Sequence, residues 1–458
     1  MTVTINGNYQ KLISSFQSIW RNKENRAPAF FTASSVWLSI AQMVSGVVIV
    51  HYVSPKEMGI WSSVSLALVY SLFLLAGVQN GLSRELPYYL GANDEVMAKR
   101  LAATTLFYTG VGCIICLLSG LITLMILIWQ KRESNLIYAV AAISLMVIFQ
   151  FYQYYLFLTF RSKNSFFQLA WVQTWQAGIM VLTLPLLFLF RYKGMLLRAV
   201  IVAGLTLYLM HRIRPIVVRP AWSTDSFFLL LKTGIPIFAT DYIRNVASTA
   251  DKLVILRFAG VEQVGLYALA ATAGAAFQVV PQSIAHYIYP RMSHHYGRTN
   301  DPRVLWVLAC KVTVVVVIAM IPVALIGSAV IPWAVKTLFP KYIAGTHAAQ
   351  IMLFSSVAAG ATIGANALSS LKAWSHLVGY QFSGAGLSVI APLVGIHVFK
   401  SPLNGVAYSI LIANLLNVVL ALGFTYAATH RRPGAGMPPS ITPKPVCTDI
   451  PEDIPVAN

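Results

Sequence analysis

Long apolar stretches follow one another along almost the whole chain, and they constrain its fold more than any other feature. A helix needs about 20 mostly apolar residues to cross the hydrocarbon core of a bilayer. At that width the sequence predicts an all-α polytopic membrane protein with about twelve spans. The spans are expected near 28–51, 60–82, 101–129, 135–160, 166–190, 195–211, 233–257, 263–290, 304–330, 347–371, 376–399 and 402–428.

The spans fall into two groups of six, and three polar segments complete the predicted organisation. Residues 28–211 form an N-terminal six-helix bundle and residues 233–428 a C-terminal one, joined by a basic connector at 212–232. Residues 1–27 are polar and basic, and the apolar run after them is too long for a signal peptide and has no small-residue cleavage site. Residues 429–458 are rich in proline and lose apolar periodicity, which predicts a disordered tail.

Composition agrees with a membrane protein and argues against two other classes. Hydrophobic residues make up 57% of the chain and charged residues only 10%, whereas soluble domains carry roughly 25% charge. The net charge is +19, but the basic residues stand singly or in pairs, unlike the dense polar runs of a nucleic-acid binder. Cys113 and Cys116 form a C-x-x-C pair inside an apolar run without a second pair, so no zinc or redox site is predicted.

Basic residues also predict the orientation of the spans. An even number of spans places both termini on one side, and Lys and Arg in short loops favour the cytoplasm. With the N-terminus inside, the predicted cytoplasmic segments hold 20 Lys and Arg, and the opposite face holds 9. We therefore expect a multi-pass protein of the bacterial inner membrane with both termini in the cytoplasm.

An internal repeat relates the two bundles. The first loop runs Lys56-Glu57-Met58-Gly59-Ile60-Trp61-Ser62, and 206 residues later the chain runs Glu262-Gln263-Val264-Gly265-Leu266-Tyr267-Ala268. Arg84 and Arg291, which end the helices that follow, are 207 residues apart. Because each half holds an even number of spans, the copies must be parallel, related by an axis along the membrane normal. The repeat predicts two equivalent six-helix bundles.

The seventh span carries the most unusual residues of the chain. Spacings of three and four place six polar side chains on one face of the helix: Asp241, Arg244, Asn245, Ser248, Asp251 and Lys252. A charge at bilayer depth costs roughly 2.5–3.5 kcal/mol, so such residues normally face a bundle interior or a wet cavity. Arg244 and Lys252 are predicted to bind phosphate or pyrophosphate. Asp241 or Asp251 would couple a proton or sodium ion. The alternative is that local ion pairs simply hold two helices together.

Two further stripes and a pair of arginines are candidate contacts for the rest of a substrate. Gln278, Gln282 and His286 follow one face of the eighth span, and Trp171 and Trp175 follow one face of the fifth. Amides and flat rings suit a sugar, although glutamine also joins helices and tryptophan is enriched at membrane interfaces. Arg84 and Arg291 would form a cytoplasmic gate, or else they are ordinary basic anchors at helix ends.

Nothing in the sequence predicts an enzyme. The chain has no G-x-x-x-x-G-K-[ST] loop, no metal-ligand motif and no large cytoplasmic insertion. We expect no catalytic residues, no metal and no cofactor beyond a transported H⁺ or Na⁺. This favours a secondary transporter over a pump or a membrane glycosyltransferase.

Several short motifs resemble those of a known family. Ser54-Pro55-Lys56-Glu57-Met58-Gly59-Ile60-Trp61 and Gly77-Val78-Gln79-Asn80-Gly81-Leu82-Ser83-Arg84 resemble the opening of polysaccharide-biosynthesis flippases of the multidrug/oligosaccharidyl-lipid/polysaccharide (MOP) exporter superfamily. Ala250-Asp251-Lys252-Leu253-Val254-Ile255, Val264-Gly265-Leu266-Tyr267-Ala268 and Tyr289-Pro290-Arg291-Met292-Ser293 are similar to that family's signatures in the second half. With the span count, the resemblance covers about residues 28–428, while the proline-rich tail is unlike a typical member.

The resemblance implies a Wzx-type flippase with a MATE-like pair of six-helix bundles around a central cavity. Such a protein passes an undecaprenyl-pyrophosphate-linked oligosaccharide, a repeat unit of O-antigen, capsule or exopolysaccharide, from the cytoplasmic to the periplasmic leaflet by alternating access. Ion antiport often drives the family's transport, and a polysaccharide polymerase or chain-length protein is a possible partner beside the membrane lipid. The family's Asp-Lys pair corresponds to Asp251 and Lys252, and its loop glycine to Gly265.

Three other functions remain open from the sequence. A MATE-type drug/cation antiporter would bind a lipophilic cation at buried acids, but each of the two span carboxylates lies within one turn of a base. A peptidoglycan-precursor lipid flippase is chemically close to the leading hypothesis. A non-transporting assembly subunit would need only the structural roles of these residues.

Overall fold

The fold is a bundle of long helices without a strand in the part of the chain that the structure describes. The structure is a computed structural model that describes residues 23–299, 301–371, 373–399 and 401–430. The predicted N-terminal segment and proline-rich tail lie almost wholly outside these residues. The α-helices are α1 (Lys23–Tyr52), α2 (Pro55–Val64), α3 (Leu66–Tyr70), α4 (Val78–Gly91), α5 (Glu95–Trp129), α6 (Ser134–Ser162), α7 (Phe166–Leu182), α8 (Pro185–Arg212), α9 (Thr224–Ala247), α10 (Ala250–Phe258), α11 (Val261–Thr299), α12 (Pro302–Leu338), α13 (Thr346–Ala361), α14 (Asn366–Ser370), α15 (Trp374–Val398) and α16 (Pro402–Thr429).

The prediction of a polytopic all-α protein is confirmed. Ten segments of the described residues are long and apolar enough to cross a membrane. The predicted fifth and eighth spans are not among these ten and correspond to α7, which has 17 residues, and α11, which has 39. Every predicted span is therefore represented by helix at its expected place in the chain.

Four spans are interrupted, which hydropathy did not predict: the second, fifth and seventh, and the tenth, in which a 3-10 turn (Thr362–Ala365) separates α13 from α14. The fifth span ends at Leu182 rather than near 190, and α8 begins at Pro185 and is broken by Arg191 at φ 48° and ψ −118°. The second span is divided between α2, α3, a 3-10 turn (Ser71–Leu75) and α4, with a left-handed bend at Ala76 and Gly77. The seventh span is divided between α9 and α10. Each break frees backbone groups that side chains or neighbouring helices must satisfy.

The loop after the first span shows why these residues start a helix. Ser54 accepts the backbone N–H of Glu57, and the Glu57 carboxylate accepts the backbone N–H of Ser54 at 2.9 Å. This reciprocal capping box satisfies two donors at the start of α2, and Pro55 occupies the first turn, where no N–H is needed. The turn fixes the entry of α2, which carries Gly59 of the repeat.

In each half, one pair of helices packs closely because small or hydroxyl-bearing residues lie at the contact. In the first half α1 packs along α7, where Ser34 and Ser35 donate to the amide oxygen of Gln173 at 2.8 and 3.0 Å. In the second half α15 packs along α16, where Gly395 and Gly405 leave no room for a side chain between the backbones. Small and hydroxyl-bearing residues are the usual means by which helices associate in lipid.

Candidate functional site

The break between α9 and α10 organises the candidate site. Helical geometry stops at Ser248 and Thr249 and resumes at Ala250. Tyr70, in the interrupted second span, holds both sides of the break: its hydroxyl lies 3.0 Å from the Thr249 hydroxyl, and its carbonyl accepts a hydrogen bond from the Tyr242 hydroxyl at 3.3 Å. The break is thus anchored to the first half of the chain.

Asp241 and Arg244 form an ion pair on the first side of the break. The Arg244 Nη2 atom lies 3.3 Å from the Asp241 Oδ1 atom. The arginine side chain is 63% exposed and the carboxylate 47%, so neither is locked into a dry interior. Because exposed pairs of this kind contribute little stability, the pair does not by itself explain why charges stand here.

Asp251 lies on the other side of the break, and both of its carboxylate oxygens are occupied. The Tyr267 hydroxyl donates to Oδ2 at 2.7 Å, and the backbone N–H of Lys252 donates to Oδ1 at 2.7 Å. Tyr267 is fully buried in the core of the second half. A carboxylate in the first turn of α10 is also stabilised by the partial positive charge of that helix end.

Lys252 forms no direct ion pair in the described part of the chain, although the carboxylate of the adjacent Asp251 still attracts its charge. Its side chain is half-buried, and within the described ranges its ammonium lies in no ion pair with a carboxylate. Of the four charges at the α9–α10 break, Asp241 and Arg244 pair with each other, and Asp251 bonds to Tyr267 and to backbone. The side chains at the break thus expose a half-buried cation and a paired but accessible arginine.

The other predicted contacts are distributed over separate helices. Gln278 is half-buried on α11, whereas the side chains of Gln282, His286 and Arg291 lie outside the described part of that helix. Trp171 and Trp175 lie on α7, which packs on α1 and α8, whereas α9 packs on α4 and α15.

The side chains of Trp171, Trp175 and Arg84 are exposed. The Trp171 and Trp175 rings meet edge to face at 5.7 Å and are 39% and 49% exposed. Arg84 lies on α4 with a side chain 68% exposed, 3.6 Å from the carboxylate of its neighbour Glu85. The structure thus brings together the residues of the seventh span, whereas Trp171 and Trp175 lie on a helix that packs against other neighbours.

Two other basic residues inside the spans do not reach this site. Arg198 is 4% exposed and donates to the Met180 carbonyl at 2.8 Å and to the Ser45 hydroxyl at 2.6 Å. Arg198 thus joins α1, α7 and α8 and caps the C-terminal end of α7. The sequence did not reveal this structural role, because the partners of Arg198 are a backbone carbonyl and a serine rather than an acid. Lys311 is exposed on α12.

A reciprocal contact between the two halves lies at the predicted periplasmic face. A Cβ atom on Gly265 would overlap the carbonyl oxygen of Pro55, and one on Gly59 would overlap the carbonyl oxygen of Val261. Pro55 and Val261 are 206 residues apart, as are Gly59 and Gly265. The repeat therefore joins α2 to α11 by two equivalent backbone contacts, which we call the upper contact.

A second close contact joins the halves nearer the predicted cytoplasmic face. A Cβ atom on Gly81 would overlap the carbonyl oxygen of Leu230, and one on Gly234 would overlap that of Gly77. This lower contact packs α4 against α9.

A lateral groove of about 690 Å³ lies beside the candidate site. One wall comes from the interrupted second span and includes Ala67 and Tyr70, and another from α5 and α6. Leu253 and Leu256 of α10 complete it. Lys252 is not itself in the lining, but it directly precedes Leu253 and lies one helical turn before Leu256, so its backbone is at the edge of the groove.

Comparison with solved structures identifies the fold. One MATE multidrug transporter of the MOP superfamily, in an inward-facing conformation, superposes with a TM-score of 0.64 over 86% of this chain and 98% of its own, at 12% identity. The lipid II flippase MurJ, in an inward closed conformation, gives 0.66 over 87% of this chain and 89% of its own, at 13% identity. An outward-facing MATE transporter gives 0.54 over 90% and 97%, at 13% identity.

The fold is therefore that of MOP transporters, which include both drug exporters and a lipid flippase. No family model matches the sequence, and no curated protein matches it. The chain is a multi-pass membrane protein that shares its fold with these solved structures.

Proposed function

We propose that this protein moves an oligosaccharide linked to undecaprenyl pyrophosphate from the cytoplasmic to the periplasmic leaflet of a bacterial inner membrane. The observation that carries the proposal is the arrangement of charge at the α9–α10 break. Both carboxylates are occupied by local partners, whereas Lys252 has no carboxylate partner in the described residues and Arg244 is accessible. Such a site favours an anion, and pyrophosphate offers several oxygens to an arginine fork and a lysine.

The same arrangement argues against a drug/cation antiporter. A lipophilic cation would need a carboxylate free to face it, but Asp241 is paired with Arg244 and Asp251 is bonded to Tyr267. Releasing Asp251 would leave the buried Tyr267 hydroxyl without its partner, at a cost of about 1–3 kcal/mol, and the exposed Asp241 stands beside the positive charge of Arg244, which repels a second cation. A drug/cation antiporter therefore has less support than an anion-lipid flippase.

Transport would follow from alternate opening of the two contacts between the halves. The pyrophosphate would lie at Arg244 and Lys252, and the sugars would reach Trp171, Trp175, Gln278, Gln282 and His286. Arg84 and Arg291 would meet the headgroup at the cytoplasmic entrance. Rocking of residues 28–211 against 233–428 would then separate the upper contact while the lower one stays closed.

Asp251 is the proposed ion-coupling residue, with Asp241 as the alternative. A carboxylate that exchanges a proton or Na⁺ must have its partners rearranged, and Asp251 bonds to Tyr267 on α11 and to the start of α10. Protonation would weaken the bond that holds these two helices together. Ion binding would thereby act on the helices that carry the upper contact and the substrate charges.

The experiment is equilibrium binding to the purified protein in phospholipid nanodiscs. We expect undecaprenyl pyrophosphate to bind and the lipophilic cation tetraphenylphosphonium not to bind. Lys252→Gln and Arg244→Gln should each weaken pyrophosphate binding by about tenfold to 100-fold, because each removes a charge-assisted hydrogen bond. Lys311→Gln is the matched control, because it removes one positive charge from an exposed position on α12.

The outcomes separate the candidate functions. Binding of tetraphenylphosphonium that depends on Asp241 or Asp251 would favour the drug/cation antiporter. Equal binding of undecaprenyl pyrophosphate by wild type, Lys252→Gln and Arg244→Gln would refute the anion site. Competition between lipid-linked sugars of different structure would distinguish a polysaccharide repeat unit from a peptidoglycan precursor.

A further inference from the structure

The lateral groove lies between the two points at which the halves of the chain touch. On the second span, its lining residues between Ala67 and Leu74 fall between Gly59 of the upper contact and Gly77 of the lower contact. On the other side, Leu253 and Leu256 fall between Gly234 and Val261. The groove is therefore an opening in the seam between the halves, bounded above and below by backbone contacts.

The left-handed bend of the second span gives the groove its shape. The 3-10 turn from Ser71 to Leu75 and the positive φ angles of Ala76 and Gly77 separate α3 from α4. As a result α4 packs along much of α9, whereas α2 touches α10 over a much shorter length. Tyr70, one of the lining residues, bonds Thr249 and so links the second span to the α9–α10 break within the groove.

The walls of the groove suit hydrocarbon rather than water or a headgroup. Its lining carries six hydroxyl groups, of which that of Ser63 is buried away from the surface and has no hydrogen-bond partner among the described residues. That of Tyr70 lies 3.0 Å from the Thr249 hydroxyl, and those of Ser71, Ser119, Thr123 and Ser144 are bonded to the backbone of their own segments. Hydroxyls bonded in this way offer no free donor to a ligand. The other walls are mostly aliphatic, from Val64, Leu74, Val140, Ile143, Leu253 and Leu256.

The groove opens to the side at the depth of the spans, next to a cation. Much of α5 is exposed to the surroundings, and Leu118 beside the groove is 54% exposed. A volume of 690 Å³ is within the range of ordinary ligand pockets. Since Lys252 directly precedes Leu253, a chain in the groove would place an attached anionic group close to the α9–α10 break.

We infer that this groove binds the polyprenyl chain of the lipid substrate while its pyrophosphate lies at Lys252 and Arg244. The inference rests on the proposed function and specifies how its substrate is held. The apolar chain remains in an apolar environment and the charged headgroup in a polar one, so neither is transferred into the other's surroundings.

The test compares two pyrophosphates that differ only in their chains. Undecaprenyl pyrophosphate and geranyl pyrophosphate would be titrated against the full-length protein in detergent micelles, with binding followed by native mass spectrometry. Wild type should bind the long chain about tenfold or more tightly than the short one. Ser119→Trp, which fills the groove, should abolish that preference and leave geranyl pyrophosphate binding unchanged.

A neighbouring substitution provides the control. Leu118→Trp adds the same side chain to the same helix outside the groove lining, and should keep the chain-length preference. Ala67→Trp fills the groove from the opposite wall and should act like Ser119→Trp, which keeps the test valid should Ser119→Trp fail to fold.

Two results would overturn the inference while leaving the proposed function intact. One is a chain-length preference retained in both Ser119→Trp and Ala67→Trp. The other is a wild type that binds both pyrophosphates equally through Arg244 and Lys252, which would mean that the groove does not hold the lipid chain. If neither pyrophosphate binds, the proposed function itself fails.

Discussion

The upper and lower contacts between the halves use the same kind of packing but differ in symmetry. The upper contact is reciprocal, because Gly59 and Gly265 each approach a carbonyl of the other half at equivalent positions. The lower contact joins α4 to α9, which are not equivalent elements of the repeat. The residues 206 positions after Gly77 and Gly81 are Ser283 and Tyr287, so the repeat does not supply the lower contact a second time.

This difference in symmetry indicates different roles for the upper and the lower contact. A contact made twice by equivalent residues is the arrangement expected where two similar bodies rock about a shared axis. A contact made once ties α9 to the first half beside the charged break, so its opening would move Asp241 and Arg244 directly. The upper contact is therefore expected to decide whether the seam is closed, and the lower one to couple closure to the substrate site.

Gly265→Ala should have the largest effect on stability. Its methyl group would meet the Pro55 carbonyl, and a backbone atom cannot turn aside as a side chain can. We expect a loss of about 3 kcal/mol of unfolding free energy in detergent, at the upper end of overpacking costs. Gly110→Ala is the control, because no atom lies within 4 Å of its new Cβ. A loss after Gly110→Ala equal to that after Gly265→Ala would contradict the account.

A double-mutant cycle sharpens the prediction of reciprocity. Once Gly265→Ala has separated α2 from α11, Gly59→Ala should cost little more, so the two effects should be far from additive. Additive losses would mean that the two glycines act independently and that the upper contact is not a single unit.

Gly81→Ala should open the other end of the seam, with an expected loss of about 2 kcal/mol. The accessibility of the helix break from either side of the membrane distinguishes opening of the upper contact from opening of the lower one. It would be measured by labelling Ser248→Cys, in a cysteine-free background, with a membrane-impermeant maleimide. Gly265→Ala should increase labelling from the predicted periplasmic face, and Gly81→Ala from the predicted cytoplasmic face. Labelling that rises from one and the same face in both variants would refute the division of tasks.

Lys56→Ala should have the smallest effect of these variants. It tests whether packing rather than surface charge stabilises the upper contact. Lys56 lies 2.6 Å from Glu133, and both side chains are 59% exposed. Exposed ion pairs contribute about 0–1 kcal/mol, so the unfolding free energy should change by less than that. A loss as large as that of Gly265→Ala would contradict the role given to the glycines.

The sequence predicted the spans better than their interruptions, for a physical reason. Lipid requires a long apolar helix, and hydropathy detects this requirement directly. The run from Thr183 to Phe190 remains apolar across the end of α7, so only Pro185 signalled a new helix there. The break at Ser248 and Thr249 contains neither glycine nor proline and is held by Tyr70, a residue 179 positions away.

The candidate site was predicted in part, because one helix face can be derived from spacing while its partners cannot. The charged residues do cluster at one place on the seventh span. The Tyr267 hydroxyl that binds Asp251 belongs to the repeated motif, yet spacing gave no sign that it turns toward that acid. Similarly, the repeat indicated that Gly59 and Gly265 are equivalent, but only the packing of α2 on α11 shows that they form one contact.

The most direct test of the central claim is leaflet-to-leaflet movement of a fluorescent undecaprenyl-pyrophosphate-linked oligosaccharide in proteoliposomes, detected by a membrane-impermeant quencher. The account predicts transport by wild type and by Lys311→Gln, and loss of transport in Lys252→Gln at unchanged protein content. Transport by Lys252→Gln at the rate of wild type, or no transport by wild type under an imposed proton or sodium gradient, would contradict it.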